Sequence, residues 1–315
     1  ACAKIILCGE HAVVYGRPAI ALPLSHLRAR ACVEPFSGAF QIVAADLGRV
    51  YTARDDANRS LIRLAAATLA FVRPAHRQAG LSLATLRAQL TLRSDSPPAA
   101  HLGSSAAVSV AVARAVAACL GRDLTPAEAS ALAFEAEKMH HGTPSGIDNT
   151  VVAYEQPVWF VRAAEAREAG GHEPEIEPIA IDRLPDLVIA DTGISTPTRI
   201  PVGDVRRVWE SDRAAYERLF DQIASVVSAS RQALIAGDWA KLGGLMDENH
   251  ALLSELGVSC PELDALCEAA RKAGALGAKL SGGGRGGNMI ALARNAQHVA
   301  SLRDQLLAAG AKRVM

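Results

Sequence analysis

A run of glycines in the last part of the chain limits the folds that this sequence can adopt. Five of the seven residues in 281–287 are glycine, and the run matches the spacing G-x-G-x-x-G. A dinucleotide-binding fold has a strand before such a run and a helix after it. Here the apolar segment 288–292 follows, and it is typical of a strand. The pattern argues against a dinucleotide fold and favours a loop that faces a phosphate or a substrate, with a flexible surface loop as the alternative.

A second segment joins a glycine to two hydroxyl side chains at the predicted start of a helix. Gly103, Ser104 and Ser105 lead into an Ala- and Val-rich run over residues 106–120. Backbone N–H groups and the helix dipole at such an N-terminus attract anions, and a serine hydroxyl can also contact Mg²⁺. An ordinary N-cap formed by the serine hydroxyls is an equally good interpretation. The sequence contains no G-x-x-x-x-G-K-[ST], which excludes a P-loop nucleotide-binding protein.

Two carboxylates farther along the chain have a spacing that suits metal binding and acid–base chemistry. A capping box at residues 125–128 predicts a helix from Pro126 to about His140 or His141. Glu137 lies in the last turn of this helix, and Asp148 follows a Pro-Ser-Gly turn eleven residues later. One carboxylate can bind a metal ion while the other acts as a general base. Solvated surface acids are the alternative for this segment taken alone.

The first residues of the chain combine apolar strands with charged side chains. Residues 5–24 predict two short strands joined by polar turns at 9–11 and 16–18. Lys4 lies in an otherwise apolar strand, where a lysine usually extends its ammonium group to solvent but can also pair with an acid or a phosphate. His11, in the first turn, is more often a histidine with satisfied hydrogen bonds than a catalytic one.

Apolar spacing and turn residues divide the remainder of the chain. The elements predicted in this way are further strand over 28–53, a helix over 59–72, an exposed loop or hairpin over 163–180, a strand over 187–190, mostly helical sequence from 204 to about 273 and a helix over 296–309. We place a domain boundary near residue 180, which divides the chain into 1–180 and 181–315.

The composition excludes several classes of protein. Lys and Arg number 33, as do Asp and Glu, so the net charge is zero and no basic run indicates binding to nucleic acid. The longest uncharged stretch, 96–113, contains prolines and a glycine and is a poor membrane span. The six cysteines form no C-x-x-C pair and the nine histidines form no H-E-x-x-H, so we expect no structural zinc. Buried, reduced thiols in a cytoplasmic protein are the simplest interpretation.

Taken together, these segments resemble the motifs of the GHMP small-molecule kinases, and within that superfamily the branch that acts on mevalonate. The resemblance spans nearly the whole chain and is carried by Lys4 through Gly16 (K-I-I-L-C-G-E-H-A-V-V-Y-G), by L-G-S-S-A-A at 102–107, by H-G-T-P-S-G-I-D-N at 141–149, by the stretch 190–206 and by the glycine run 282–287.

The resemblance implies a fold and an activity. The fold would be α+β with two domains, an N-terminal domain similar to ribosomal protein S5 domain 2 and a C-terminal ferredoxin-like domain, with the active site in the cleft between them. The reaction would be Mg²⁺-dependent transfer of the ATP γ-phosphate to the 5-hydroxyl of (R)-mevalonate, a step of isoprenoid biosynthesis. A homodimer is common in the family.

The resemblance also implies roles for individual residues. Asp148 would be the general base, and Lys4 beside it would stabilise the negative charge of the carboxylate and of the transferring group. Ser104 and Glu137 would bind Mg²⁺. The remaining assignments are Gly103, Ser104, Ser105, Ala106, Gly283 and Gly284 to the nucleotide, and Glu10, His11 and Thr198 to the substrate.

Three departures from the family's motifs stand out. Cys2-Ala3 replaces a Pro-Gly pair, Ala99 and His101 replace glycines of the second motif, and Arg285 stands where the third motif has small residues. Arg285 could reach a phosphate or a substrate carboxylate, or point outward. The competing hypotheses are another GHMP enzyme (phosphomevalonate kinase, homoserine kinase, galactokinase or a mevalonate-type decarboxylase) and a GHMP-like protein that binds without turnover.

Overall fold

The computed structural model describes residues 1–52, 59–73, 83, 85–95, 102–141, 146–162 and 174–315. These residues form two compact units. The first unit contains the described residues of 1–4, 23–98 and 102–156, and the second contains those of 5–22 and 157–315. Strands β1 (Cys2–Cys8) and β2 (Pro18–Pro35) contribute residues to both units. Since both units combine helices with sheet, the expected α+β class is confirmed.

The other described residues of the first unit form four helices and a small sheet. Its elements are β3 (Gln41–Ala44), β4 (Arg49–Thr52), α1 (Arg59–Val72), β5 (Ala88–Ser94), α2 (Ser104–Cys119), α3 (Pro126–His141) and α4 (Ile147–Tyr154), with a 3-10 turn at Ala45–Leu47. In the sheet, β5 pairs antiparallel with the second half of β2 and parallel with β3, which pairs antiparallel with β4.

The alanines of α2 explain how this unit packs. Ala106 and Ala107 on α2 are buried against Ala129 and Ala133 of α3 and against Val152 of α4. Small side chains allow the helices to approach closely while retaining high helix propensity. The start of α2 is therefore held firmly relative to the two helices that carry Glu137 and Asp148.

The second unit is built around a four-stranded antiparallel sheet. Its elements are a 3-10 helix (Ala12–Tyr15), β6 (Val158–Val161), β7 (Glu175–Pro178), β8 (Leu187–Asp191), α5 (Arg199–Ser211), α6 (Arg213–Ala236), α7 (Trp239–Glu255), α8 (Pro261–Lys272), β9 (Gly277–Ser281), β10 (Asn288–Leu292), α9 (Ala296–Ala308) and β11 (Arg313–Val314). The strand order is β11-β8-β10-β9. The first residues of β2 pair separately with β6, and β6 with β7.

Close packing of α7 on β9 fixes the strand that leads into the glycine run. A Cβ on Gly243 of α7 would lie 2.2 Å from the carbonyl oxygen of Leu276, and one on Gly277 would lie 2.0 Å from the carbonyl oxygen of Gly243. Such distances are far inside van der Waals contact, so only glycine fits at both positions. All five residues of β9 and of β10 are buried, which makes this pair of strands a rigid support for the loop between them.

Local signals in the sequence predicted several elements correctly. The helix expected over 59–72 is α1, and the capping box is present: Thr125 N–H donates to Glu128 Oε2 at 2.9 Å, and Glu128 N–H donates to Thr125 Oγ1 at 3.2 Å. Gly121, expected to end α2, adopts a left-handed conformation with φ of 77°. The strands expected at 187–190 and 288–292 and the last helix are also confirmed.

Other expectations need correction. The polar turn expected at 9–11 is present, but it leads into a 3-10 helix, Ala12–Tyr15, that the sequence did not predict. The sequence also did not predict α4, the helix in whose first turn Asp148 lies. Of the cysteines expected to be buried, Cys32 and Cys119 are exposed, although all six thiols are free as expected.

Some expectations fall on residues outside the described ranges. These are Ala99, His101, the turn 142–145 and residues 163–173 of the expected loop or hairpin. The described end of that segment, β7, pairs antiparallel with β6. In the described part of the chain, no helix combines the length and the apolar character needed to cross a bilayer. The boundary near residue 180 stays a prediction.

Candidate active site

In the first unit, Lys4 and Asp148 form an ion pair that the sequence separates by more than a hundred residues. The Nζ of Lys4 lies 2.7 Å from Asp148 Oδ1. The lysine side chain is only 6% exposed, whereas that of Asp148 is 37% exposed. Asp148 lies in the first turn of α4, where the helix dipole favours a negative charge. A buried cation is thus held against a carboxylate that a ligand from solvent can still reach.

Gly103 allows the start of α2 to lie directly against Lys4. A Cβ at position 103 would lie 2.8 Å from Lys4 Cγ, and the residue has φ of 68°, which favours glycine. The backbone N–H of Lys4 donates to the carbonyl oxygen of Leu102 at 3.0 Å. These contacts attach β1 to the residues just before α2, so the position of the ammonium group depends on glycine at 103.

The first turn of α2 presents its backbone N–H groups without a side-chain cap. The N-cap residue is Gly103, and no side-chain hydrogen bond caps this helix. Of the two interpretations of this segment, the one in which the serine hydroxyls form an ordinary N-cap is therefore wrong. Ser105 Oγ instead donates to Glu137 Oε1 at 2.6 Å, and Glu137 is 4% exposed. An N-terminus of this kind attracts an anion such as a phosphate group.

The oxygens near α2 fit a magnesium ion that a ligand's phosphates help to hold. Carboxylate and hydroxyl oxygens are donors that Mg²⁺ prefers, and proteins commonly bind Mg²⁺ through one or two carboxylates together with substrate phosphates. The described residues include no group of three or more His, Cys, Asp or Glu side chains that could hold a metal without such help. The motif resemblance implies Ser104 beside Glu137, whereas the hydroxyl that the structure places on Glu137 is that of Ser105.

An apolar groove lies on the same unit, between α1 and α3. Its volume is about 290 Å³, and apolar atoms form most of its lining. The residues that line it are Arg63, Leu64, Ala67, Leu132, Glu135, Ala136, Lys138 and Met139. The sequence motifs did not indicate this groove, because its residues form an ordinary helical pattern in the sequence.

In the second unit, His11 is the central residue of a strained turn. Its φ and ψ are 61° and −53°, and the N–H of Ala12 donates to the carbonyl oxygen of Glu10 at 2.7 Å. This is a γ-turn, a conformation that is rare and strained for a residue with a Cβ. Its two neighbours are held in place: Glu10 pairs with Lys279, and the carbonyl oxygen of Ala12 accepts from the N–H of Arg17 at 3.2 Å. A strained residue persists where its surroundings hold it, as is common at functional sites.

The His11 side chain joins this turn to the glycine run. Its Nε2 lies 3.0 Å from the carbonyl oxygen of Gly283, and because a carbonyl only accepts, Nε2 carries the proton. Burial lowers the pKa of His11 to about 4, and the nearby Arg285 and Lys279 act in the same direction. The imidazole is therefore neutral near pH 7, with Nδ1 as an acceptor.

Glu10 pairs with a lysine that the sequence motifs did not single out. Lys279 on β9 is fully buried, and its Nζ donates to Glu10 Oε1 and, at 2.6 Å, to the carbonyl oxygen of Leu280. Glu10 is 1% exposed, and its Oε2 has no hydrogen-bond partner among the described residues. The sequence signal was available, since Lys279 is a lone charge in an apolar strand, as Lys4 is.

The glycine run adopts backbone conformations that explain its composition. Gly282, Gly284, Gly286 and Gly287 all have positive φ. A Cβ on Gly284 would lie 2.0 Å from the carbonyl oxygen of Val258. At Gly283 a Cβ would lie 3.2 Å from Thr198 Cγ2, so the run packs directly against the start of α5.

Arg285 contacts protein groups on either side of the run. Its guanidinium forms an ion pair with Asp204 of α5, and its Nε donates to the carbonyl oxygen of Gly257 at 3.2 Å. The hydrogen bond from Arg285 lowers the pKa of Asp204 below its usual range.

The predicted site residues thus form a group in each unit. The first unit holds Lys4, Asp148, Gly103, Ser104, Ser105, Ala106 and Glu137, and the second holds Glu10, His11, Thr198, Gly283 and Gly284. In the first group, Lys4 contacts Asp148 and packs against Gly103, and Ser105 contacts Glu137. In the second group, Gly283 contacts both His11 and Thr198. The structure adds Lys279 to the second group, because its ammonium group pairs with Glu10.

Comparisons with known proteins match both halves of the chain. The family described as GHMP kinases N terminal domain matches residues 63–156, and GHMP kinases C terminal matches residues 230–312. Mevalonate kinase of Thermococcus gammatolerans is 37% identical, with 94% of this chain and 88% of that protein covered. Mevalonate kinase of Thermococcus sibiricus is 34% identical over the same shares.

Solved structures give a similar result. The structure of L. major mevalonate kinase in complex with R-mevalonate has a TM-score of 0.81 and 31% identity, with 100% of this chain and 93% of that chain covered. Streptococcus pneumoniae phosphomevalonate kinase, in complex with phosphomevalonate and AMPPNP, has the same TM-score at 20% identity, with 100% of this chain and 98% of that chain covered. The second likeness concerns the fold alone.

Proposed function

This chain belongs to the GHMP kinase family of small-molecule kinases, and we propose that it uses ATP to phosphorylate the 5-hydroxyl of (R)-mevalonate. The substrate is supported by relatives at 34–37% identity that are mevalonate kinases. The observation that carries the chemistry is the 2.7 Å contact between buried Lys4 and accessible Asp148. Phosphoryl transfer depends on positioning and charge stabilisation, which a fixed cation and carboxylate supply.

In the proposed reaction, Asp148 takes the proton from the 5-hydroxyl group. The hydroxyl oxygen then bonds to the γ-phosphorus of ATP while the bond from that phosphorus to the bridging oxygen breaks, leaving ADP and the phosphomonoester. General-base catalysis of this kind contributes about 10²–10⁴-fold to a rate. The partly exposed side chain of Asp148 allows the hydroxyl to approach, and the contact with Lys4 fixes its direction.

Lys4 stabilises negative charge at the same place. Its ammonium group is held by burial, so it is not free to turn into solvent, and its charge is screened little by water. We infer that it stabilises ionised Asp148 before transfer and the charge on the transferring group during it. Gly103 keeps the lysine in place by leaving room for its aliphatic chain.

The start of α2 is the proposed phosphate site. The backbone N–H groups at Gly103, Ser104, Ser105 and Ala106 bind phosphate oxygens in this proposal, since no side chain caps the helix. Glu137 and the serine hydroxyls would hold Mg²⁺, which when bound neutralises charge on the phosphates. Of the two serines, we favour Ser105 as the metal-side hydroxyl, because it already contacts Glu137.

The remaining assignments rest on the motif resemblance. We assign Gly283 and Gly284 to the nucleotide, and Glu10, His11 and Thr198 to the substrate. A neutral His11 suits this role, because its Nδ1 can accept a hydrogen bond from a hydroxyl while Nε2 stays on the carbonyl oxygen of Gly283. A homodimer and a cytoplasmic location stay predictions.

The proposal is tested with a panel of acceptors. The purified protein, ATP and Mg²⁺ are incubated with mevalonate, 5-phosphomevalonate, homoserine or galactose, and the products are identified by mass and by ³¹P NMR. We expect a phosphomonoester from mevalonate alone. A diphosphate from 5-phosphomevalonate would move the assignment to another branch of the family, and no product in a protein that still binds ATP would favour the non-catalytic alternative.

A further inference from the structure

Arg285 occupies a backbone conformation that normally requires glycine. Its φ is 54°, within a run whose glycines at 282, 284, 286 and 287 also have positive φ. The left-handed region is disfavoured for a residue with a Cβ, so such a residue persists only where its surroundings hold it. A glycine at 285 would adopt the same backbone without strain, so any advantage of arginine lies in its contacts.

Four contacts hold Arg285, and they lie on two sides of the run. On one side, its backbone N–H donates to the carbonyl oxygen of Val258 at 2.8 Å, and its Nε donates to the carbonyl oxygen of Gly257 at 3.2 Å. On the other side, Thr196 Oγ1 donates to the Arg285 carbonyl oxygen at 2.7 Å, and the guanidinium pairs with Asp204 on α5. The side chain thus joins the turn after α7 to helix α5 across the glycine run.

Helix α5, which carries Asp204, begins next to the glycine run. Thr198, its N-cap residue, lies against Gly283, and Gly283 also accepts the hydrogen bond from His11. A link from Arg285 to Asp204 therefore fixes where α5 begins relative to Gly283. The planar guanidinium directs its donors in fixed directions, so it sets geometry as well as distance.

We propose that Arg285 is a positioning residue: through Asp204 and Gly257 it holds the glycine run and the start of α5 in the arrangement in which Thr198 and His11, which both contact Gly283, bind the substrate. The proposal rests on the proposed kinase function. Glycine residues that nothing holds sample many backbone conformations. Without the contact between Arg285 and Asp204, only a fraction of the molecules would therefore have the glycine run in the conformation that binds substrate. The apparent affinity for the substrate falls by that fraction, while the chemical step in the bound state is unchanged.

The kinetic test uses Arg285→Gly, which removes the side chain without backbone strain, and Asp204→Asn, which removes the partner's charge. Each variant is expected to raise KM for mevalonate by about 10-fold, the effect of reducing the competent fraction to about one tenth, with kcat within about 3-fold of the parent. If Arg285 acts through Asp204, the double variant is no worse than the more affected single variant.

Arg207→Ala is the matched control. Arg207 also donates to Asp204, at 2.7 Å, but its side chain is 77% exposed, so it is held far less firmly than Arg285. This variant should leave KM unchanged. One contrary result is a lower kcat with unchanged KM that occurs in Arg285→Gly but not in Asp204→Asn. It would overturn the proposal in favour of direct contact between Arg285 and the transferring phosphate. Unchanged kcat and KM in both variants would also overturn the proposal.

A second measurement does not depend on turnover. Hydrogen–deuterium exchange of a peptide covering 281–290 should become faster in Arg285→Gly and in Asp204→Asn, and should stay at the parent rate in Arg207→Ala. Slow exchange in all variants would show that the run holds its conformation without the link, which overturns the proposal. If the parent protein fails to phosphorylate mevalonate but exchange responds as expected, the proposed substrate is wrong and the positioning role stands.

Discussion

The ammonium group of Lys4 on β1 forms an ion pair with Asp148 on α4, and the backbone N–H of Lys4 donates to the carbonyl oxygen of Leu102 just before α2. Lys4 therefore connects β1, α2 and α4. The pair is asymmetric, with a buried cation and a carboxylate that is 37% exposed. Full burial of both charges would carry a desolvation cost that their mutual attraction does not reliably repay. The exposure of Asp148 instead leaves one carboxylate oxygen accessible to a ligand, as a general base requires.

Replacing Asp148 by Asn should slow the catalytic step by about 10²–10⁴-fold, because the amide has nearly the same shape but cannot take the proton. KM for ATP should change little, since Asp148 is not among the groups assigned to the nucleotide. Steady-state rates of ADP formation measure both effects. Asp123→Asn, at an exposed acid before α3, is the control and should match the parent. A turnover rate within a few-fold of the parent would remove the general-base role.

We expect that activity requires glycine at position 103, because a larger residue there would displace Lys4. In Gly103→Ala the new Cβ would lie 2.8 Å from Lys4 Cγ, so the lysine must move. Gly121→Ala, at the other end of α2, is a matched control, because its φ is also positive but nothing lies within 4 Å of the new Cβ. Both variants should lose about 1–2 kcal/mol of stability from backbone strain.

Only Gly103→Ala should also lose activity. We expect its turnover rate to fall by at least about 10-fold (~1.4 kcal/mol), because the ammonium group is displaced. Denaturant unfolding gives the stability and steady-state assays give the rate. Equal activity of the two variants would mean that the position of Lys4 is not set by contact with residue 103.

Glu137 should determine how much Mg²⁺ the reaction needs. Glu137→Gln keeps the shape of the side chain but removes the charge, so we expect the Mg²⁺ concentration for half-maximal rate to rise by about 10–100-fold, with partial recovery of rate at high Mg²⁺. Glu135→Gln is the control on the same helix, since its side chain is 64% exposed and pairs with Lys138. An unchanged Mg²⁺ requirement in Glu137→Gln would assign the metal to other residues.

The two serines at the start of α2 can be separated in the same assay. Ser105→Ala should raise the Mg²⁺ requirement more than Ser104→Ala, because Ser105 Oγ is the hydroxyl on Glu137. The reverse order would support the assignment of Ser104 that the sequence motif implies.

Short-range signals account for the elements that the sequence predicted well. The capping box at Thr125 and Glu128, the glycine at 121 and the apolar spacing of 59–72 act within one or two helical turns, so they can be recognised without tertiary structure. The two site groups were anticipated for a different reason, namely the resemblance of several motifs to one family.

What the sequence did not predict depends on contacts between distant residues. Lys279 meets Glu10 from 269 residues away, and nothing local to either residue indicates the pairing. The direction of Arg285 follows from where α5 places Asp204. Likewise, whether Ser104 or Ser105 contacts Glu137 depends on how α3 packs against α2, which is set by buried alanines on both helices. Each of these outcomes is a property of packing, and local propensity carries no information on it.

His11 should make the stability of the protein depend on pH between about 6.5 and 4. Burial lowers its pKa in the folded protein from 6.5 to about 4, so in this interval the unfolded chain binds a proton that the folded protein does not. The free energy of unfolding therefore has its full value above pH 6.5 and falls as the pH decreases, by at most about 1.4 kcal/mol per pH unit from this residue. His250, whose pKa is also lowered by burial, acts in the same direction.

The test compares urea unfolding of the parent and of His11→Gln from pH 7 to pH 4. Glutamine retains an N–H donor for the carbonyl oxygen of Gly283 but does not titrate, so the variant should show a shallower decrease in stability as the pH falls. Replacing His250 as well should reduce the slope further, and carboxylates whose pKa is lowered in the folded protein, such as Asp204, account for the slope that remains. Parallel curves for the parent and His11→Gln would mean that His11 has the same pKa in the folded and unfolded states, which would contradict the lowered pKa.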